Sequence, residues 1–388
     1  MQCHYFDAGS CRSCTLMGTP YADQLAAKSR AVRETLAPVA PGLDWRPPFA
    51  SAEAGFRTKA KLVVGGLTGA VTLGILDPRG GGIDLRECGI HDARIAATLP
   101  ALAAFCDDAG LVPYDVPTRR GELKHLLVTV SPAGEFMVRF VLRSTHHLAR
   151  LRSRLPRLLA VVPTVRVVSV NVQAEHKAVI EGAREIVLTE AGHLRMDVGG
   201  VPLYLRPNSF FQTNTAVADG LYRQARDWVD VADPDVVWDL YCGVGGFALQ
   251  AATSPAGAHR VVAGIEIAGE AIAAATKSAA EMGIGERTCF VEGDAAGAGA
   301  TLSTRDPRAA DPDLVVVNPP RRGLAADLTA WLDGSPATTL LYSSCNPLTL
   351  ARDLAGLRSW RAEEARLFDM FPQSGHAEVL VRLARRPA

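Results

Sequence analysis

From about residue 205 onward the chain alternates short β-rich runs with helical runs, and this alternation restricts the fold more than any other feature. A helical pattern at 216–229 leads into Val236-Val237-Trp238-Asp239-Leu240, then a glycine-rich turn and another helix. Strand-like runs follow at Arg260–Ile267, Thr288–Glu292, Asp313–Asn318 and Thr339–Ser343, with helical runs between several of them. Alternating β and α units of this kind predict a doubly wound parallel sheet, an α/β fold of Rossmann-like type. Ligands of such sheets lie beyond the carboxyl ends of the strands, so the chemistry is expected there.

Upstream the texture differs. Residues 1–20 read as a Cys/Gly-rich loop, followed by a helical pattern from about Ala22 to Leu36 and the chain breakers Pro38, Pro41, Pro47 and Pro48. Between about Gly55 and Ile186, β-rich runs (Ala60–Val64, Leu126–Val130, Phe136–Leu142, Val165–Val172) mix with helical stretches near 92–109 and 145–159, which predicts a smaller α+β domain. With 48% hydrophobic and 21% charged residues, the composition excludes disorder, collagen and coiled coil. No run approaches the ~18 apolar residues of a membrane helix. Met1-Gln2-Cys3-His4-Tyr5 has no basic flank leading into an apolar run, so a cytoplasmic protein without membrane attachment is expected.

The formal net charge of +0 hides a local imbalance. From Val116 to Arg166, ten Lys/Arg (Arg119, Arg120, Lys124, Arg139, Arg143, Arg150, Arg152, Arg154, Arg157, Arg166) face two acids, Glu122 and Glu135. A basic face confined to one region suits a polyanion such as nucleic acid. The alternative is a solvated amphipathic helix surface, since 147–155 also reads as one.

Polar or glycine-rich signatures stand at four successive strand ends. Gly243-x-Gly245-x-x-Ala248 lets backbone approach a ligand closely, and alone it suits a dinucleotide equally well. Glu266 is placed for ribose hydroxyls, Asp294 could accept from an adenine amino group, and Asn318-Pro319-Pro320-Arg321 ends the fourth strand. In that order the set is similar to S-adenosylmethionine-dependent methyltransferases. Asn-Pro-Pro also occurs in enzymes that methylate base amino groups, but those follow it with an aromatic residue, and Arg321 stands here.

At the next strand end comes Ser343-Ser344-Cys345-Asn346-Pro347, which places a thiol on the substrate side. His376-Ala377-Glu378 sets a carboxylate just before a last apolar run. At the other end of the chain, Cys3, Cys11 and Cys14 crowd together among eight cysteines in all. Three thiols at that spacing ask for a metal reading. A structural zinc would normally show two Cys pairs, and an iron–sulfur cluster needs a fourth thiolate, for which Cys88 and Cys106 are both available.

Ser-Ser-Cys-Asn, Asn-Pro-Pro-Arg, Ser209-Phe210-Phe211-Gln212-Thr213-Asn214 and His-x-Glu together resemble the RNA uracil-C5 methyltransferase family. The opening Met1-Gln2-Cys3 to Cys14, with Gly55-Phe56-Arg57-x-Lys59-Ala60-Lys61 and Arg120-Gly121-Glu122-Leu123-Lys124, resembles its branch acting on 23S rRNA at the 747 site. The resemblance runs from residue 1 to about 383. It implies an enzyme forming 5-methyluridine from S-adenosylmethionine, with Cys345 as nucleophile toward uracil C6 and Glu378 as the base that removes the C5 proton. It implies Gln212, Tyr241, Glu266, Asp294 and Asn318 around the cofactor, and a [4Fe–4S] cluster on Cys3, Cys11, Cys14 and Cys88. Relatives often carry Asp where this chain has Asn318. The expected organisation is a cluster-binding loop at 1–20, a helix and linker at 21–48, a central α+β RNA-binding domain at 49–204 and the methyltransferase domain at 205–388. The target base must leave its stack, so a looped or flipped uridine is expected, with the basic segment and Arg57, Lys59 and Lys61 on phosphates. A monomer needing no protein partner is expected. The alternatives are the same chemistry on a tRNA or another rRNA uridine, or amino-group methylation.

Overall fold

The computed structural model describes residues 1–387. The chain forms two compact units, one of Met1–Met17, Glu53–Met196 and Arg206–Asn208, the other of Gly18–Ala52, Asp197–Leu205 and Ser209–Ala388. Among the described residues no helix is long and apolar enough to cross a membrane.

The first unit is built on seven strands: β1 (Lys59–Leu67), β2 (Ala70–Leu76), β3 (Gly82–Asp84), β4 (Leu123–Val130), β5 (Phe136–Leu142), β6 (Val165–Val172) and β7 (Arg184–Val187). Their order across the sheet is β3-β2-β1-β4-β5-β6-β7. Every neighbouring pair is antiparallel except β5 with β6, which are joined through the helix Leu148–Val161. Alternation along β1 turns Ala60, Leu62 and Val64 into a core with Ile95, Leu99, Leu102 and Cys106 of the helix Ala93–Asp108. Asp92 caps that helix, accepting from the Arg94 amide at 2.9 Å.

The second unit carries β8 (Val236–Leu240), β9 (Val261–Glu266), β10 (Thr288–Glu292), β11 (Leu314–Val317), β12 (Thr339–Ser344), β13 (Trp360–Phe368) and β14 (Glu378–Arg385). The order is β13-β14-β12-β11-β8-β9-β10, with the short strand Asp44–Trp45 added outside β13. Strands β8 to β12 are parallel, as the alternating pattern predicts. β14 runs antiparallel to both β12 and β13, so the sheet is mixed rather than wholly parallel. Glu378 is the first residue of β14, inside the strand and not ahead of it. The central strands are apolar on both faces, and Trp238 stacks on Trp331 with ring centres 5.4 Å apart. The helix Tyr21–Leu36 belongs to this unit and buries Gln24, Lys28, Val32 and Leu36, one residue per turn.

Candidate functional site

The strand order puts the carboxyl ends of β11, β8, β9 and β10 side by side on one edge of the second unit. Tyr241, Glu266, Asp294 and Asn318 stand there. Tyr241 has φ +67°, a left-handed conformation that a non-glycine residue adopts only where its surroundings hold it. Gly245 follows at φ +87°, and at Gly246 a Cβ would meet the Tyr222 ring at 2.6 Å, so neither turn position accepts a side chain without displacement. The Glu266 carboxylate accepts from the amides of Gly243 at 3.3 Å and Ala268 at 3.0 Å, tying this turn to the end of β9. The exposed Asp294 accepts from the Ala296 amide at 3.1 Å. Burial, opposed by the Ala248 amide, pushes the Asp239 carboxyl up to about 7. Gln212 is placed differently. It lies buried on the segment leading into the helix Thr215–Ala232, whose N-cap is Asn214.

Cys345 follows β12 directly. Asn346 caps the next helix, Pro347–Gly356, with Pro347 in its first turn, so the thiol is held just ahead of a helix N-terminus. The Asn346 amide group also donates to the Arg321 carbonyl at 3.0 Å, and the Thr349 hydroxyl to the same oxygen at 3.3 Å. These bonds fasten the Asn-Pro-Pro-Arg loop to the thiol loop. Across the antiparallel pair of β12 and β14, Ser343 faces Leu380 and Ser344 faces Val379. One further step in that register sets Cys345 opposite Glu378. Glu378 is 2% exposed, accepts from the Ser343 hydroxyl at 2.6 Å, and is pushed up to about 7 by burial.

Donors beside a thiol favour its ionised form, but around Cys345 the opposing effects are larger. Arg321 does hydrogen-bond the thiol and favours the thiolate, but burial and the Glu378 charge outweigh it, and the net direction is up. Thiolate and carboxylate therefore disfavour each other, and protonating one eases ionisation of its partner. The Arg321 guanidinium also lies 3.1 Å from His376 Nδ1.

A support beneath this site went unread in the sequence. Lys28 donates to the buried Asp369 at 2.7 Å and to the Phe371 carbonyl at 3.0 Å. Gln24 and Gln373 exchange two hydrogen bonds, at 3.0 and 3.1 Å, and Gln373 sits at φ +65°. Together they clamp the segment that runs into His376 and Glu378. The available signal was the placement of Gln24 and Lys28 on the apolar stripe of an otherwise ordinary amphipathic helix.

In the first unit, Cys3, Cys11, Cys14 and Cys88 line one cavity of about 110 Å³ with Tyr5, Arg57 and His91. Cys106 is fully buried in the core of its helix and does not reach that cavity. Burial and the other three cysteines push the Cys14 thiol up to about 11. Arg57 Nε and His91 Nδ1 are buried without hydrogen-bond partners and belong to side chains lining the same cavity. Among the described residues, no group of His, Cys, Asp or Glu stands close enough to hold a metal ion. The donor set nonetheless has the thiol chemistry of an iron–sulfur ligand set, with a guanidinium to offset its negative charge.

The basic segment is less bare than its count suggests. Asp108, outside the window, pairs with both Arg154 and Arg157, and Glu181 and Glu185 pair with Arg139. Glu122 and Glu135 take Arg143 and Arg166. Three acids from outside the segment, Asp108, Glu181 and Glu185, thus offset part of the imbalance within 116–166. Arg119, Arg120, Arg150 and Arg152 remain exposed on this segment.

Residues 302–386 match the profile of the tRNA (Uracil-5-)-methyltransferase family. Over 386 residues the chain is 46% identical to the 23S rRNA (uracil(747)-C(5))-methyltransferase RlmC of Halothiobacillus neapolitanus, covering 99% of this chain and 100% of the relative. The enzyme of the same description from Edwardsiella ictaluri is also 46% identical, over the full length of both chains. Among solved structures, the tRNA (uracil-54, C5)-methyltransferase of Pyrococcus abyssi, in complex with S-adenosyl-L-homocysteine, superposes with a TM-score of 0.76 at 23% identity. That alignment covers 96% of this chain and 85% of the archaeal one, a likeness of fold.

Proposed function

The chain belongs to the RNA uracil-C5 methyltransferase family of those RlmC relatives, and from that premise we propose that it forms 5-methyluridine at the 747 site of 23S rRNA. S-adenosylmethionine, when bound, would supply the methyl group, the pair of the broken methyl–sulfur bond leaving on sulfur as a neutral thioether. The observation that carries the reading is the Cys345 thiol, just past the end of β12, within electrostatic reach of the Glu378 carboxylate at the start of the antiparallel neighbour β14.

Uracil C5 is a poor nucleophile. Addition of the Cys345 thiolate to C6 forms a C–S bond and moves electron density to C5, which can then attack the methyl group. Arg321, hydrogen-bonded to the thiol, favours its ionised form. After transfer the C5 proton passes to the Glu378 carboxylate. The C5–H electron pair then becomes the restored C5=C6 bond, and the C6–S pair returns to sulfur. Tyr241, Glu266, Asp294 and Asn318 on the strand-end edge, with Gln212, would hold the cofactor. Cys3, Cys11, Cys14 and Cys88 would hold a [4Fe–4S] cluster, supported by their shared cavity and by the unpartnered Arg57 and His91 nitrogens. Such a cluster would bind residues 3–14 to residue 88, ordering the unit that carries Arg57, Lys59, Lys61 and the basic segment for contact with RNA.

Nucleoside mass spectrometry of 23S rRNA fragments from a strain lacking the gene tests this. Fragments are treated with S-adenosylmethionine and either wild-type or Cys345→Ala protein. Expected is 5-methyluridine at the 747 site with wild type alone. The modification at another uridine would keep the chemistry and overturn the target, and none at all would overturn the uracil-C5 reading.

A further inference from the structure

We propose that Ser343 is a positioning residue for Glu378, directing one carboxylate oxygen and keeping the group in its proton-accepting form. The inference rests on the uracil-C5 reading above. Ser343 and Cys345 are two residues apart at the end of β12, so they share one face of the sheet. Glu378 stands opposite Cys345 in the extended register and therefore diagonal to Ser343, within reach of a short side chain. The hydroxyl donates to Glu378 Oε1 at 2.6 Å, and Ser343 is 0% exposed. A serine in an apolar strand between Tyr342 and the strand end carries a desolvation cost that this bond answers.

The consequence is chemical as well as structural. A donor on Oε1 stabilises the ionised carboxylate against its buried surroundings and leaves Oε2 to receive the C5 proton. Once Oε2 is protonated the Ser343 bond weakens, which favours return of the proton to solvent before the next turnover. The charged and titratable groups around Glu378 are Tyr222 from the helix Thr215–Ala232, the Cys345 thiol with Arg321 behind it, and His376 on the incoming segment, itself turned to Arg321. Among the described residues, the hydrogen bond to the Glu378 carboxylate comes from Ser343 rather than from any of these.

The test is the pH dependence of covalent-adduct breakdown in single turnover. It uses the full chain, S-adenosylmethionine and an RNA oligonucleotide spanning the target uridine, with wild type, Ser343→Ala, Ser343→Cys and Glu378→Gln compared. Ser343→Ala is expected to leave adduct formation intact and to move the midpoint of breakdown upward by about one pH unit, so that breakdown below the midpoint slows about tenfold. Ser343→Cys keeps the shape and a weak donor and is expected to fall between. Profiles that superpose on wild type, or a loss equal at every pH, would overturn the proposal. Should Ser343→Ala not fold, the direction of the Ser343→Cys shift decides in the same way. Glu378→Gln separates the two levels: if it fails to accumulate adduct, the role of Glu378 in the proposed reaction falls, and this inference with it.

Discussion

Cys345 and the set of Cys3, Cys11, Cys14 and Cys88 are half-buried thiols, and their neighbours give them different chemistries. Cys345 has a guanidinium and a carboxyl group as neighbours, on a loop held by Asn346 and Thr349, while Gln24 and Lys28 clamp the segment before Glu378. Cys14 has three other cysteines as its main electrostatic neighbours, with Arg57 opposing them. Burial raises both thiols. An adjacent acid–base partner makes the first a candidate for making and breaking bonds with a base. Mutual repulsion makes the second set costly to ionise together unless a cationic centre joins them. Burial alone therefore does not assign a cysteine its role; the charges that share its cavity do.

Substitutions can break this comparison. Cys345→Ala should abolish both methylation and adduct, whereas Cys106→Ala, in the core, should leave both, as read by nucleoside mass spectrometry and denaturing gels. Cys88→Ser should remove the visible absorbance and iron of the anaerobically purified protein, and Cys106→Ser should not. Glu378→Gln should lower turnover by about 10²–10⁴-fold while the methylated adduct accumulates. In wild type the same step should slow as pH falls below about 7, because a carboxyl raised to that value loses its base form there. Lys28→Met leaves Asp369 buried and unpaired and should cost about 3–5 kcal/mol in denaturant unfolding. Smallest of all, Arg152→Ala should reduce the salt dependence of RNA binding by about one unit of slope, and Arg154→Ala, already paired with Asp108, by less.

What could be read from sequence was local. Strands β8 to β12 and the turn at 241–246 follow from period and glycine placement, and the strand-end positions of Tyr241, Glu266, Asp294, Asn318 and Cys345 come with them. The β13 strand was not legible, because Trp360-Arg361-Ala362-Glu363-Glu364-Ala365-Arg366 has no period of two. Its charges are answered across the sheet instead, Glu364 by Arg46 at 2.6 Å and by Arg382 at 2.5 Å. The Lys28–Asp369 pair joins residues 341 positions apart, and three of the acids that pair with the basic segment, Asp108, Glu181 and Glu185, lie outside the window in which it was counted. The choice between Cys88 and Cys106 was open by spacing, yet Leu99, Leu102, Ala103 and Cys106 form one apolar helical stripe, a sign that Cys106 is core.

The most direct measurement of the central claim is capture of the adduct on RNA carrying 5-fluorouridine at the target position, where C5 has no proton for Glu378 to remove. With S-adenosylmethionine present, the account predicts a denaturation-resistant complex whose peptide map places a methylated fluorouridine on Cys345. A complex on another cysteine, or none with protein that binds the RNA, would contradict it.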